Sequence, residues 1–407
     1  MFANCSSLTT APELPATTLA DNCYASMFQG CSNLATIDVS FTVWEPTNAT
    51  TRWVNGVAAS GTFTCPAELP DTRGTSNIPA GWEKIGDLLC FTAEKANSTL
   101  HLDKVGSPDA ISLKTSTDGN TWTDYSWTNS TGDTLTLANV GDKVYMRAKN
   151  ENQTIGNSAS NYYQFKMTGK IAASGNIQTL LKADGSRTDA PANCYYYMFY
   201  KCTSLTTVPK LPATTLANNC YFAMFFGCTS ITSAPELPAT TLASECYRAM
   251  FQDCSSLTSA PALPATTLIS GCYKNMFFGC KSLTSAPELP ATTLASECYR
   301  AMFQICTSLT SAPVLPATTL ANLCYNWMFS DCTSLTTAPA LPATTLAGYC
   351  YSRMFNGCTS LTTAPELPAT TLANGCYDSM FNGCKALAQA PALPATTLYG
   401  YCYSGMF

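Results

Sequence analysis

The sequence predicts an α/β solenoid of 26-residue units, each with a short strand and a short helix, flanking an all-β sandwich. Three observations carry this reading. A cysteine recurs every 26 residues from Cys194 to Cys402, and a second follows in step from Cys202 to Cys384. Self-similarity at a fixed period of this size marks a solenoid. Residues 86–172 lose the repeat and alternate apolar with polar residues, and residues 1–37 carry the repeat again ahead of that change.

The unit is best read in the copy CYRAMFQDCSSLTSAPALPATTL, residues 246–268. Counted from its first cysteine as position zero, apolar residues fall at positions 0, 1, 4, 5 and 8, as Cys246, Tyr247, Met250, Phe251 and Cys254. At 100° per residue they span roughly 140°, the arc of a buried helical stripe. Cys220, Met224, Phe225 and Cys228 repeat the stripe one unit earlier, and Leu257, Leu263 and Leu268 complete the expected core. Glycine at position 7 (Gly227, Gly279, Gly357, Gly383) is placed to end the helix in a left-handed turn.

After the helix comes an extended piece, Leu257 to Ala260, and then Pro261 to Pro264. Proline cannot donate to a neighbouring rung, so the strand is expected to be only about three or four residues long. Ala265 to Leu268 lead into the next helix, with threonine or the following Ser or Asn as its cap. One unit cannot close a core, so stability must come from stacking on neighbours.

The Cys-x-x-Leu step (Cys254, Leu257), the Leu-Pro pair (Leu263, Pro264) and the Met-Phe-x-x-Cys run (Met250, Phe251, Cys254) resemble the BspA-type leucine-rich repeats of bacterial surface proteins. The resemblance covers residues 194–407 and 1–37. Met-Phe stands where that family usually carries Ala-Phe, and the unit here is slightly longer. It implies a leucine-rich-repeat-like solenoid in an extracellular protein that adheres to host proteins or to other cells.

Taken in order, residues 1–37 read as the end of a first array. Residues 38–85 read as its C-terminal cap, in which Trp44, Trp53, Val54 and Val57 cover the last apolar face and Asn48 to Val57 form a short helix. Residues 86–172 hold alternating runs around Leu100, Leu113, Leu135 and Val144, separated by turn signals that include Asp118-Gly119-Asn120. About seven strands in a segment of this length suggest an immunoglobulin-like or fibronectin-like sandwich. Residues 173–193 read as a linker and N-terminal cap, with Ile177, Leu180 and Leu181 over the first unit. The second array occupies 194–407 and stops within a repeat, so the chain reads as a segment of a longer protein.

Charged residues make up 12% of the chain and the net charge is −5, which argues against a nucleic-acid partner. No apolar run reaches the length of a membrane span. Twenty of the 22 cysteines belong to the repeat. Positions 0 and 8 are about 12 Å apart along a helix, too far for a disulfide, and the spacing offers no four-ligand zinc set. The repeat cysteines therefore read as buried thiols packing as small hydrophobes. A bond between Cys65 and Cys90, outside the pattern, is left open.

No catalytic residue, metal site or cofactor is expected. The single histidine, His101, sits on a predicted strand, and glutamates recur singly (Glu236, Glu288, Glu366) where paired carboxylates would be needed for hydrolysis. The remaining readings concern binding. Positions 2, 3, 6 and 7 and those just before the cysteine vary between copies. They carry Tyr196, Tyr197, Arg248, Lys274, Arg300, Trp327, Tyr349 and Arg353, residue types that dominate binding hot spots. These eight are the candidate binding surface for a protein or glycan on a host or bacterial surface. The alternative is a spacer or fibre segment, such as a phage tail or virion fibre, that self-associates or holds a tip borne elsewhere.

Overall fold

In the computed structural model each repeat unit is one coil of a stack, and consecutive coils bond to each other through the backbone of their turn ribbons and through single bridges on the extended face. The structure describes residues 1–12, 14–66, 69–70, 72–85, 87–119 and 121–407. Gly86, where the sandwich was expected to begin, and Asn120, in the expected turn, lie outside the described residues.

The segment expected to be helical is not a helix. Across residues 244–253 the chain is a ribbon of consecutive turns. Every second amide closes a tight turn on the carbonyl three residues back: Arg248 on Glu245, Met250 on Tyr247, Gln252 on Ala249, Cys254 on Phe251. The amides between them donate to the next coil, as Tyr247 to Cys272, Ala249 to Lys274 and Phe251 to Met276, at 2.8–3.0 Å. An α-helix would need bonds to the residue four back. Every fourth residue is also left-handed (Glu245 φ 54°, Ala249 φ 54°, Asp253 φ 58°), which interrupts any right-handed helix. No α-helix occurs among the described residues, and one 3-10 turn spans Ile177–Leu180. The glycines at position 7 end no helix; they are one of these left-handed positions.

The ribbon explains the apolar spacing just as well as a helix does. It turns two residues inward and two outward with a period of four, so positions 0, 1, 4, 5 and 8 face in. Over nine residues this differs from a 3.6-residue period by about one residue. Position 1 forms a column of tyrosines, Tyr195 to Tyr403, with ring centroids 5.4–5.9 Å apart and planes within 2–11°. Position 5 forms a parallel column of phenylalanines ending at Phe407. Such pairs contribute about 0.5–1.5 kcal/mol each beyond the area they bury. Cys220, Met224, Phe225, Cys228, Cys246, Met250, Phe251, Cys254 and Leu257 have no exposure, and Leu263 and Leu268 are buried beside them.

The two cysteine columns differ chemically. At position 8 the thiol donates to the phenylalanine carbonyl of the previous coil: Cys228 to Phe199, Cys254 to Phe225, Cys280 to Phe251, at 3.0–3.1 Å. That carbonyl gains a second donor, so these residues do more than fill space. The extended face is thinner than expected. In the second array it is a full strand only at β16 (Leu205–Thr207) and β17 (Thr215–Leu216), and further on it is single parallel bridges such as Ser233 to Ser259 and Thr293 to Thr319.

The first array runs through β1 (Thr36–Asp38), β2 (Thr62–Thr64) and β3 (Glu83–Ile85), paired in parallel in that order. Residues 48–56 are again a turn ribbon, where a short helix was expected. Trp53 closes the phenylalanine column: Phe2 stacks on Phe28 at 5.8 Å, and Phe28 meets Trp53 at 6.1 Å with planes tilted by 48°. The fully buried Trp53 indole also donates to the Asn77 carbonyl.

Between the arrays lie β4 (Leu89–Ala93), β5 (Ser98–Val105), β6 (Leu113–Ser116), β7 (Thr123–Tyr125), β8 (Trp127–Thr128), β9 (Thr131–Gly132), β10 (Leu135–Leu137), β11 (Lys143–Ala148), β12 (Gly156–Ser158), β13 (Asn161–Thr168) and β14 (Ile171–Ser174). One sheet has the order β10-β5-β13-β12, and the other β16-β14-β4-β11-β6-β7. Leu89, Phe91, Leu100, Leu102, Leu113, Met146, Tyr163 and Phe165 form the core that the two sheets share. The connectivity is not that of an immunoglobulin domain, in which the first two strands pair in one sheet. Here β4 pairs with β11 and β14, while β5 pairs with β10 and β13.

This sheet pair runs directly into the second array. Beside the first coil, Phe165, Ile171 and Ile177 take the places that Phe199, Leu205 and Leu211 take within it, at the same intervals of six and twelve residues. The Phe165 amide donates to the Met198 carbonyl at 2.7 Å, and Ile171 pairs in parallel with Leu205. The Tyr195 hydroxyl, first in its column, donates to Gln178 Oε1 at 2.7 Å. One continuous apolar core therefore extends from Leu89 to Met406, separate from the core of the first array. β15 (Asp189–Ala190) closes this junction by pairing with β17.

Cys65 and Cys90 are buried and line one cleft of about 470 Å³ between the first array and the sheet pair. Cys90 carries a free thiol, so the bond left open by the sequence is not formed.

Candidate binding surface

The residues at positions 2 and 3 of the turn ribbon stand in columns, one member per coil, because the coils are in register; several of them, such as Ala223, Asn326 and Ser352, are buried between neighbours. Position 2 reads Tyr196, Phe222, Arg248, Lys274, Arg300, Asn326, Ser352, Asp378 down the stack, and position 3 reads Tyr197, Ala223, Ala249, Asn275, Ala301, Trp327, Arg353. All eight candidate residues lie on this face, but they form three groups.

The first group adjoins the sheet pair. Tyr196 is only 7% exposed, stacked on Phe222 at 4.6 Å and flanked by Tyr197 at 4.5 Å and Tyr162 of β13 at 5.8 Å. Burial pushes its hydroxyl well above the ordinary tyrosine range. Tyr196 therefore acts mainly in the junction with β13, and Tyr197, which also contacts Tyr162 and Tyr200, borders the same aromatic cluster.

The second group is cationic. Arg248, Lys274 and Arg300 occupy position 2 of three successive coils and line a shallow cleft of about 450 Å³ together with Asn275, Phe278, Ala301, Gln304 and Trp327. Arg248 pairs with Glu245 at 2.7 Å and lies over the Phe222 ring at 5.1 Å. Glu297 takes both Lys274 and Arg300. Burial disfavours its ionised form, but hydrogen bonds from Lys274 and Arg300 outweigh that and hold the carboxyl below its ordinary value.

The third group continues downstream. The Arg353 guanidinium sits 4.6 Å from the Trp327 ring centre and 3.7 Å from the Asp378 carboxylate. Tyr349 is 37% exposed and accepts a hydrogen bond from Asn374 Nδ2 at 3.2 Å.

Sequence reasoning picked the cations and Trp327 but missed Phe278, Asn275, Ala301 and Gln304, which complete the cleft. Reading each position down the 26-residue period, rather than along the chain, brings them together. Among the described residues no group of His, Cys, Asp and Glu could hold a metal ion, and His101 lies on β5 with its Nε2 3.4 Å from Asp103. No helix among them is long and apolar enough to cross a membrane.

The stacked coils and their in-register columns define a repeat protein of the solenoid class. Residues 192–299 and 244–388 match the BspA type leucine-rich repeat region, in six copies, so the second array carries that repeat. Neither the curated proteins nor the solved structures contain a match to the chain.

Proposed function

We propose that this chain is a non-enzymatic, extracellular recognition scaffold, whose outer turn face binds a protein or glycan on a host or bacterial surface. The observation that carries the reading is the cationic and aromatic cleft of Arg248, Lys274, Arg300 and Trp327. Only 12% of the chain is charged, so three cations on adjacent coils are a marked local concentration. The inward columns hold the stack together, which leaves the outer columns free to be selected for a ligand. The match to the BspA-type repeat is consistent with a surface-borne adhesin.

Retention of the fluorescently labelled chain on bacterial and epithelial cells tests this, compared with an Arg248→Ala, Arg300→Ala, Trp327→Ala triple variant. At least tenfold weaker retention of the variant is expected. Equal retention removes the outer face from binding. It would then favour a second reading, a stiff spacer or fibre segment, for which the uninterrupted core from Leu89 to Met406 and the identical copies at 233–252 and 285–304 speak.

A further inference from the structure

The column at position 2 holds a run of cations that the fold does not require. Like charges on neighbouring coils repel, and Arg248, Lys274 and Arg300 stand at the same position of three consecutive coils. The same position carries no cation upstream (Tyr196, Phe222) or downstream (Asn326, Ser352, Asp378), so the stack forms without cations there. Two carboxylates, Glu245 and Glu297, face the three cations, leaving one positive charge in the cleft.

The geometry around that charge is a short trough along the stack axis. Arg248, Lys274 and Arg300 form one wall, and Phe278 and Gln304 at position 6 form the other. Between them position 3 is small, Ala301 following Asn275, and Trp327 closes the end. Arg353 lies over Trp327 from the following coil and holds the indole in place. The observed bonds engage Nη1 of Arg248 and Nη1 of Arg300, so each guanidinium keeps further donors for a carboxylate, which arginine binds in a planar, two-point fashion.

We propose that this trough binds an acidic polysaccharide with a carboxylate on each successive sugar, lying along the stack axis. The proposal rests on the recognition reading above and assigns the chemistry of that same face. Carboxylates repeated along a stiff chain can meet the unengaged guanidinium donors of Arg248 and Arg300, two coils apart, and the net positive charge of the cleft, while Phe278 and Trp327 offer apolar contact for sugar faces. An acidic peptide would present its carboxylates alternately to opposite sides when extended, which fits a single cationic wall less well.

The test uses the full chain and tetragalacturonate, with its methyl ester as the uncharged control, a hyaluronan hexasaccharide bearing uronate on alternate sugars, and hexaglutamate. Calorimetry is expected to show binding of tetragalacturonate that weakens with added salt, weaker binding of hyaluronan, and none of the ester. Arg300→Gln and Trp327→Ala are each expected to weaken binding at least tenfold, while Asn356→Ala, outside the trough, leaves it unchanged. No binding of tetragalacturonate, equal binding of its ester, or full binding by Arg300→Gln overturns the proposal. Tighter binding of hexaglutamate also overturns it and reassigns the trough to acidic peptides. If the triple variant loses cell retention while tetragalacturonate fails to bind, the recognition reading stands and the polysaccharide assignment falls.

Discussion

The ring of Phe165, on β13, lies 5.0 Å from that of Phe199, with the two planes 16° apart. It is the first member of the phenylalanine column of the second array, supplied by a strand of the sheet pair. Its backbone completes the imitation, since the Cys202 thiol donates to the Phe165 carbonyl at 3.1 Å, as Cys228 does to Phe199. A solenoid needs a terminal unit that covers its apolar face. At this end β13 and β14 provide it.

Replacing Phe165 with alanine is therefore expected to cost about 3–5 kcal/mol and to loosen the first coil. Hydrogen exchange checks the location: amides of Cys202 and Leu205, which donate to Phe199 and Cys202, should lose protection together with those of β14. Phe303→Ala, in mid-array, should cost a similar amount in urea unfolding but leave β14 protected. Full protection of Leu205 in Phe165→Ala would show that the sheet pair does not cap the array.

Ile305 is a β-branched residue held at φ 61°, at a position where Gly227, Gly279, Gly357 and Gly383 stand in other coils. The left-handed conformation costs an ordinary residue about 1–2 kcal/mol, more than the roughly 0.5–1 kcal/mol of chain entropy that glycine loses. Ile305→Gly is expected to raise stability by about 0.5–1 kcal/mol. The reverse change, Gly279→Ala, places a Cβ 2.3 Å from Asp253 Oδ1 at φ 71° and should destabilise. Midpoints of thermal unfolding decide both, and a lower midpoint for Ile305→Gly contradicts the account.

The buried thiols set a limit at high pH. Burial pushes Cys194, Cys246, Cys298 and Cys350 up from 9.0 to about 12. Because the folded value is the higher one, stability from these groups is complete below about pH 9 and is lost as pH rises toward 12. The loss is about 1.4 kcal/mol per pH unit for each thiol that ionises only when unfolded. Circular dichroism between pH 7 and 12 should show cooperative unfolding beginning above pH 9, and an unchanged signal at pH 11.5 would refute it. At pH 8 a thiol reagent should modify Cys5 and Cys23, which are exposed, well before the buried cysteines react.

Much of the array was legible because period and burial follow directly from side-chain polarity. The 26-residue repeat, the inward set from Cys246 to Cys254 and the outward set bearing Arg248 and Trp327 can all be read without coordinates. What that pattern could not distinguish was a helical stripe from a four-residue turn ribbon, since both turn the same residues inward over so short a run. A hint was present: Gly and Asn recur four apart, as Gly271, Asn275 and Gly279, and these are the residues most tolerant of left-handed backbone.

The sequence alone determined that the arrays stack near-identical units around a dry column and vary mainly at the outside, because the hydrophobic pattern repeats and local polarity is additive along a chain. Only the tertiary structure decided three further things. It set the backbone of the unit, since the amides that would close a helix bond to the next coil instead. It set the pairing of β4 through β14, which depends on contacts between residues far apart in sequence. And it made the cleft between Arg248 and Trp327, whose walls come from four coils and are adjacent only once those coils are in register.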